Sequence, residues 1–420
     1  MQLMTFPAGR AARAAGSLLA AIAGSAAAAM IAPDAARAAA DQAAPIARSA
    51  PVSQLDPNAA QEWIPFERDP GGLIVIPVVL DGAPARALID TGFASVVLSR
   101  AFALEHRLAL EAAGGAYGVG GMTAVEQAST ISLRVGGFYQ AGGAIPVVDL
   151  SSLTAHVDTP FQIVIGSSLL SMVALQIDFD QRRLRLLPSG SRPIAGVEVP
   201  VALRAEGRRV VTRIMIAGRP LAPVMLDTGS ENALTLTASA WSGLPLGRID
   251  HETDLAVAGT GGIVVHRLGT IEGAQFGAPP PAPIAATVEP AGEFLDHAGM
   301  KGSIGLGLLS RYNVVLDVAA GRLILAPRNR PDADPPKSTL GIQGVLQADR
   351  IKVIHVMGNS PAALAGVRDG DEICAINGTW FGPRWQEGPL KDWGIAPPGT
   401  AYDLSLCTGA HIKLLTAAFY

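Results

Sequence analysis

Two aspartates sit in the same local setting. Asp90 closes the run Ala87-Leu88-Ile89-Asp90-Thr91-Gly92, and Asp227 closes Val224-Met225-Leu226-Asp227-Thr228-Gly229-Ser230. Each apolar run ends abruptly on a carboxylate and a glycine turn. A pair of such acids, brought together, does acid–base chemistry. One takes a proton from a held water while the other, still protonated, donates to the group under attack. Like charges about 3 Å apart cannot both ionise, so one pKa rises and the other falls, and the measured values belong to the pair. Gly92 and Gly229 permit the turn that points both acids inward. Thr91 and Thr228 read either as hydrogen-bonding across an interface, which holds the acids rigid, or as plain turn residues.

The elements around the acids repeat. Asp227 follows Asp90 by 137 positions, and the hairpin Val78-Val79-Leu80-Asp81-Gly82 is matched by Ile214-Met215-Ile216-Ala217-Gly218. Downstream, Ile163-Val164-Ile165-Gly166 is matched by Gly302-Ser303-Ile304-Gly305, with Gly305 139 positions after Gly166. Ile177-Asp178 and Leu187-Pro188 recur as Leu316-Asp317 and Ala326-Pro327 at the same offset. A continuous apolar strand such as Ile163–Ile165 suits a fully buried position, and the glycine after it lets backbone approach the acid turn closely.

Hydrophobic-hydrophobic-Asp-Thr-Gly, then a glycine-rich hairpin, then hydrophobic-hydrophobic-Gly resembles the aspartic peptidases, from about Ile64 to Pro327. Two lobes in one chain resemble the pepsin-like arrangement, and short lobes with a hairpin each resemble retropepsins fused in tandem. The resemblance implies an all-β fold with two retropepsin-like lobes related by a pseudo-twofold. It implies an aspartic-type endopeptidase with a polypeptide substrate and no cofactor, Asp90 and Asp227 being catalytic. Thr91, Gly92, Thr228, Gly229 and Ser230 support them. It also implies flaps. Tyr117-Gly118-Val119-Gly120-Gly121 has its tip 30 residues past the first acid, and Ala258-Gly259-Thr260-Gly261-Gly262 has its tip 33 past the second. Tyr117, Gly118, Gly120, Gly259, Thr260 and Gly261 are the flap candidates, Tyr117 as a donor to a ligand or as a packed surface tyrosine. Gly-Thr-Gly-Gly lacks the βαβ context and the Lys-Ser/Thr of a nucleotide loop.

The first motif departs from the family at Phe93, where Ser, Thr or Ala is usual; the second has Ser230. A phenyl ring cannot hydrogen-bond a carboxylate. It desolvates Asp90 and favours its protonated form, or it crowds the site. The alternative function is therefore a catalytically silent bilobal protein that binds peptides or acts as a scaffold.

Composition bounds the remainder. Of 420 residues, 49% are hydrophobic and 16% charged, which allows large cores and excludes global disorder. A net charge of −4 argues against nucleic acid as a partner. The seven histidines show no His-x-x-His or Glu-x-x-His spacing, so no metal site is expected. No Gly-x-Ser-x-Gly elbow is present. Residues 1–40 read as an export signal, with Arg10 and Arg13, an Ala/Leu-rich run and Ala38-Ala39-Ala40 before Asp41. That places the protein in a bacterial periplasm or outside the cell, without a membrane span once the signal is removed. An uncleaved anchor is the competing reading. Residues 41–62 read as a flexible Ala/Pro/Gln/Ser-rich leader, 63–190 as lobe one, 191–329 as lobe two and 330–337 as a Pro-rich linker.

Residues 338–420 resemble a PDZ domain, an α+β module. The resemblance rests on Val353-Ile354-His355-Val356, Ser360-Pro361-Ala362, Ala365-Gly366-Val367, Gly370-Asp371-Glu372-Ile373 and Ile376-Asn377-Gly378. Leu340-Gly341-Ile342 stands where such domains offer backbone N–H groups to the C-terminus of a bound peptide. The competing reading makes it a plain start of a strand in a structural domain. Cys374 and Cys407 are expected as two separate buried thiols, a disulfide being the alternative.

Overall fold

The computed structural model describes residues 51–68, 72–129, 132–154, 160–204, 208–244, 252–277, 280, 282–329, 331, 336–382, 385, 388 and 390–420. The predicted signal, the first ten residues of the leader and much of the linker lie outside them. The protein is all-β through residues 52–327, with short helices at strand ends.

Each acid is delivered by a hairpin. Ile74–Leu80 turns at Asp81-Gly82 into the acid strand Ala83–Ile89, and Arg209–Ile216 turns at Ala217-Gly218 into Arg219–Leu226. Both residues of each turn have positive φ (47° and 79°, then 48° and 75°), the twist that matches the strands they join. Each acid strand pairs in parallel with a short inner strand. Ile163–Ile165 lies between Ala87–Ile89 and Val97–Leu98, and Gly302–Ile304 lies between Val224–Leu226 and Leu234–Leu236. The inner strands are buried at every position, which is why their sequences run apolar without alternation. After Val97–Ser99 comes the helix Arg100–Glu105, capped by Ser99 Oγ accepting from Phe102 N. Its counterpart Ala238–Ser242 is capped by Thr237 accepting from Ala240 N.

The lobes join through a six-stranded sheet. Ala174–Asp178 pairs antiparallel with Val314–Asp317, flanked by Arg183–Leu187 and Arg322–Pro327, with Ile64–Pro65 and Val197–Pro200 outermost. The strand order is the same read from either edge, so an approximate twofold passes between Ala174–Asp178 and Val314–Asp317. One apolar cluster runs through both lobes. Residues 338–420 build a separate core around Trp393, Leu340, Val353 and Leu404. There the helix Pro361–Ala365 starts at Ser360, whose Oγ accepts from Ala363 N, and stops at Gly366 with φ 92°. Among the described residues no helix is long and apolar enough to cross a membrane.

Two sequence expectations are corrected. Part of the leader at 41–62 is ordered structure: Val52–Leu55 adds to Phe138–Ala141, and Ala59, 1% exposed, seats on Gly137. Asp56 opens this turn by accepting from Asn58 N, and Trp63 lies under the guanidinium groups of Arg183 and Arg185. The residue types looked flexible because the stabilising partners lie more than 75 positions away. Cys374 and Cys407 are not separate thiols but a disulfide with Cα atoms 5.1 Å apart. Strand pairing of Glu372–Ile376 with Ala401–Leu406 brings them into range. The bridge closes a 33-residue loop. Replacing both cysteines by alanine is expected to cost the 338–420 transition about 3–4 kcal/mol, read as a lower urea midpoint by near-ultraviolet circular dichroism. Wild type under reducing conditions should show the same shift.

Candidate active site

The two acid turns are built alike. Asp90 N donates to Ile165 O at 3.0 Å and Asp227 N to Ile304 O at 2.9 Å, so each acid is the last residue pinned to its inner strand. Gly92 N donates to Asp90 Oδ1 at 2.8 Å, and Gly229 N to Asp227 Oδ1 at 3.1 Å. Phe93 N and Ser230 N close the turns onto Asp90 O and Asp227 O, both at 3.2 Å.

The turns are locked together by the threonines. Thr91 N donates to Thr228 Oγ1 and Thr228 N to Thr91 Oγ1, both at 3.0 Å. Each hydroxyl then donates across the interface, Thr91 to Leu226 O at 2.7 Å and Thr228 to Ile89 O at 2.9 Å. All four bonds are buried, where an unmade bond is costly. Of the two readings of these threonines, the interlobe one holds.

The glycines of the motif serve close approach rather than turn geometry, since neither Gly92 nor Gly229 has positive φ. A Cβ on Gly92 would lie 2.6 Å from Asp227 Oδ1, and one on Gly229 2.1 Å from Asp90 Oδ2. Each lobe's glycine thus faces the other lobe's acid, and the two carboxyls share one small space. Gly166 and Gly305 act as the sequence suggests. A Cβ at Gly166 would meet Ser95 O at 2.2 Å and Phe93 O at 2.6 Å, and one at Gly305 would meet Asn232 O at 2.3 Å.

The environment separates the carboxyls in acidity. Burial first, and then the charge of Asp227, holds Asp90 well above the ordinary carboxylate range. Burial also raises Asp227, but Gly229 N–H, the Arg209 guanidinium and a hydrogen bond from Asp90 work against it. Phe93 is partly buried and packs on the interlobe core. Ser230 Oγ accepts from Asn232 N at 3.3 Å and makes no bond to Asp227.

The glycine hairpins meet each other. They are Leu110–Gly118 with Gly121–Ala128, and Thr253–Gly259 with Gly262–Gln275. Gly261 N donates to Val119 O at 3.0 Å. A Cβ on Gly118, Gly120 or Gly259 would strike Thr260, Gly262 or Val119 of the opposite tip at 2.6 Å or less. Ser152 Oγ donates to Gly259 O at 2.8 Å. Tyr117 stacks on His297 at 3.9 Å and donates to Gly292 O at 3.2 Å. It is a packed side chain that ties the first hairpin to the second lobe.

Leu340 and Ile342 are buried in the core of residues 338–420. The expected offer of free N–H groups is not met at Leu340 and Gly341, because both donate to Ser338 Oγ, at 3.4 and 2.8 Å. This module instead grips the second hairpin. Gln343 accepts from Ala256 N at 2.6 Å and donates to Ala256 O at 3.1 Å. Asp254 accepts from Gly358 N at 2.6 Å and lies 3.0 Å from His355 Nε2. Met357 packs with Leu255 and Leu268.

Two residues of the site were not legible in the sequence. Arg209 donates from Nη1 to Gly92 O at 2.5 Å, across the lobe boundary. Glu289, 3% exposed, accepts from Leu295 N at 2.9 Å. Burial, with the neighbouring charges of Glu293, Asp296 and Asp227, pushes its pKa up to about 7. The hints were slight: Arg209 opens the strand Arg209–Ile216, and Glu289 ends the otherwise uncharged strand Ala282–Glu289.

Residues 76–169 match the sequence family described as Aspartyl protease, so the chain carries an aspartyl protease-like domain there. No curated protein matches the chain. Among solved structures, Basic 7S globulin from soybean is similar over 63% of this chain and 93% of its own, with 10% identity and a TM-score of 0.37.

Glu289 gives a pH-dependent handle on stability. Its folded pKa lies above the ordinary 4.5, so its favourable contribution is complete below pH 4.5 and lost as pH rises through 7. Glu289→Gln should therefore be more stable than wild type at pH 8, by about 3 kcal/mol at most. The gain should vanish at pH 4. Urea unfolding at the two pH values checks this.

Proposed function

We propose that the protein is an aspartic-type endopeptidase that hydrolyses peptide bonds in an extended polypeptide held beneath the paired hairpins. The observation that carries this is the approach of Asp90 and Asp227 into one space, each at the end of a buried strand and locked by the exchanged threonine bonds. Asp227, the more easily ionised carboxyl, takes a proton from a water held between the acids. Asp90 donates its proton toward the carbonyl oxygen as the tetrahedral intermediate forms. The proton gained by Asp227 then passes to the leaving nitrogen. The match of residues 76–169 to an aspartyl protease family supports the hydrolase class.

The remaining parts of the proposal follow from the sequence. The N-terminal signal directs the protein to the periplasm or beyond. Residues 338–420 form a PDZ-like arm that recruits a substrate tail or a partner. Binding of a terminal carboxylate at Leu340–Ile342 requires the Ser338 hydroxyl to release the amides it now holds.

Cleavage of an unfolded protein at mildly acid pH by wild type, Asp90→Asn and Asp227→Asn tests the reading. Loss of at least a hundredfold in either variant is expected, since each carboxyl has a role the other cannot fill. Equal residual cleavage in all three would refute it. Phe93→Ser serves as a second arm. Activity in that variant alone would assign wild type to the silent, peptide-binding class.

A further inference from the structure

The approximate twofold is broken by one charge beside the acids. Val75 pairs with Leu88 and Val211 with Met225, each partner lying two residues before its acid. Two residues earlier stand Leu73, just before its strand, and Arg209, the first residue of its own. An apolar side chain in one lobe thus corresponds to a guanidinium in the other.

The contacts of Arg209 place that guanidinium at the carboxyls. Its Nη1 bonds Gly92 O, and the Cα of Gly92 borders both acids, as the 2.6 and 2.9 Å approaches of a Cβ built there show. Its Cζ lies 5.2 Å from the centre of the Phe294 ring, which closes the far side. Among the described residues it has no carboxylate partner within 4 Å, and its hydrogen bond is to a neutral backbone oxygen. A half-buried cation with no ion pair of its own acts on the nearest negative charge, here the pair Asp90 and Asp227.

We propose that Arg209 is the fixed counter-charge of the two-carboxyl centre, a positioning residue that sets the acidity range in which the centre works. The proposal rests on the endopeptidase reading. A fixed positive charge favours every ionised form of the pair, so it lowers both limbs of a bell-shaped pH–rate profile. It also selects Asp227 as the ionised member, in keeping with its smaller rise. The acidic groups on this side of the second lobe are Glu289, Glu293 and Asp296, and of these Glu289 is coupled by charge to Asp227.

The test compares wild type, Arg209→Lys and Arg209→Met by the pH profile of kcat/KM on an unfolded protein substrate. Both limbs of Arg209→Met should move to higher pH by about one unit. Its activity then falls below the wild-type optimum and is retained above it. Arg209→Lys, which keeps the charge but not the fork, should stay near the wild-type limbs. Superimposable profiles, or a lysine variant that behaves like the methionine one, overturn the proposal. A second readout needs no catalysis: the carboxyl 13C shifts of Asp90 and Asp227, assigned with the Asp→Asn variants, are titrated in wild type and Arg209→Met. An upward shift in the methionine variant supports the counter-charge even if wild type cleaves nothing. Unchanged titration refutes it even if wild type is active.

Discussion

Four hydrogen bonds exchanged by Thr91 and Thr228 are the constraint on which the site depends. Two carboxyls repel when ionised and lose hydration when buried, so nothing in the acids themselves holds them together. The threonines supply the restraint. Each satisfies an amide of the other turn and a carbonyl of the other acid strand. Separating the lobes would expose all four partners at once. The acids can therefore be kept at an unfavourable distance without being free to move apart.

The six-stranded sheet makes that restraint directional. Because Ala174–Asp178 pairs directly with Val314–Asp317, the lobes meet along a ladder whose register is set by backbone bonds. A slip by one residue would exchange Leu175, Ile177, Val314 and Leu316 with the smaller and polar residues Ala174, Gln176, Val315 and Asp317 on the other buried face, so the register is strongly held. The inner strands carry it upward to the acid turns. The glycines at 92, 166, 229 and 305 then leave room for the layers to close on one another.

Much of the centre was legible in the sequence because it is local and doubled. Two Asp-Thr-Gly motifs, the repeat offsets and the hairpin tips each announce themselves within a few positions. What could not be read depends on contacts between distant segments. Arg209 finds Gly92 across 117 positions. Glu289 is unusual only because of what buries it. Residues 52–61 look disordered until Gly137 and Arg185 are placed beside them. The cysteines fall in range through strand pairing that their spacing does not encode. Phe93, conspicuous in sequence, packs on the core, whereas Arg209, which drew no attention, bonds Gly92 beside both acids.

The grip of Gln343 on Ala256 has a further consequence. Thr253–Gly259 is the last strand of its sheet, and an open strand edge is a template for pairing with another polypeptide. The Gln343 amide occupies one donor and one acceptor of that edge, and the turn at Gly358 covers its start. Leu110–Gly118 is the equivalent edge in the first lobe, and among the described residues no strand lies beyond it. It carries an irregular register between Ala112 and Gly114, and its Tyr117 packs on His297 and Gly292 of the second lobe. Residues 338–420 thus act as a guard against intermolecular β-pairing on one side of the molecule.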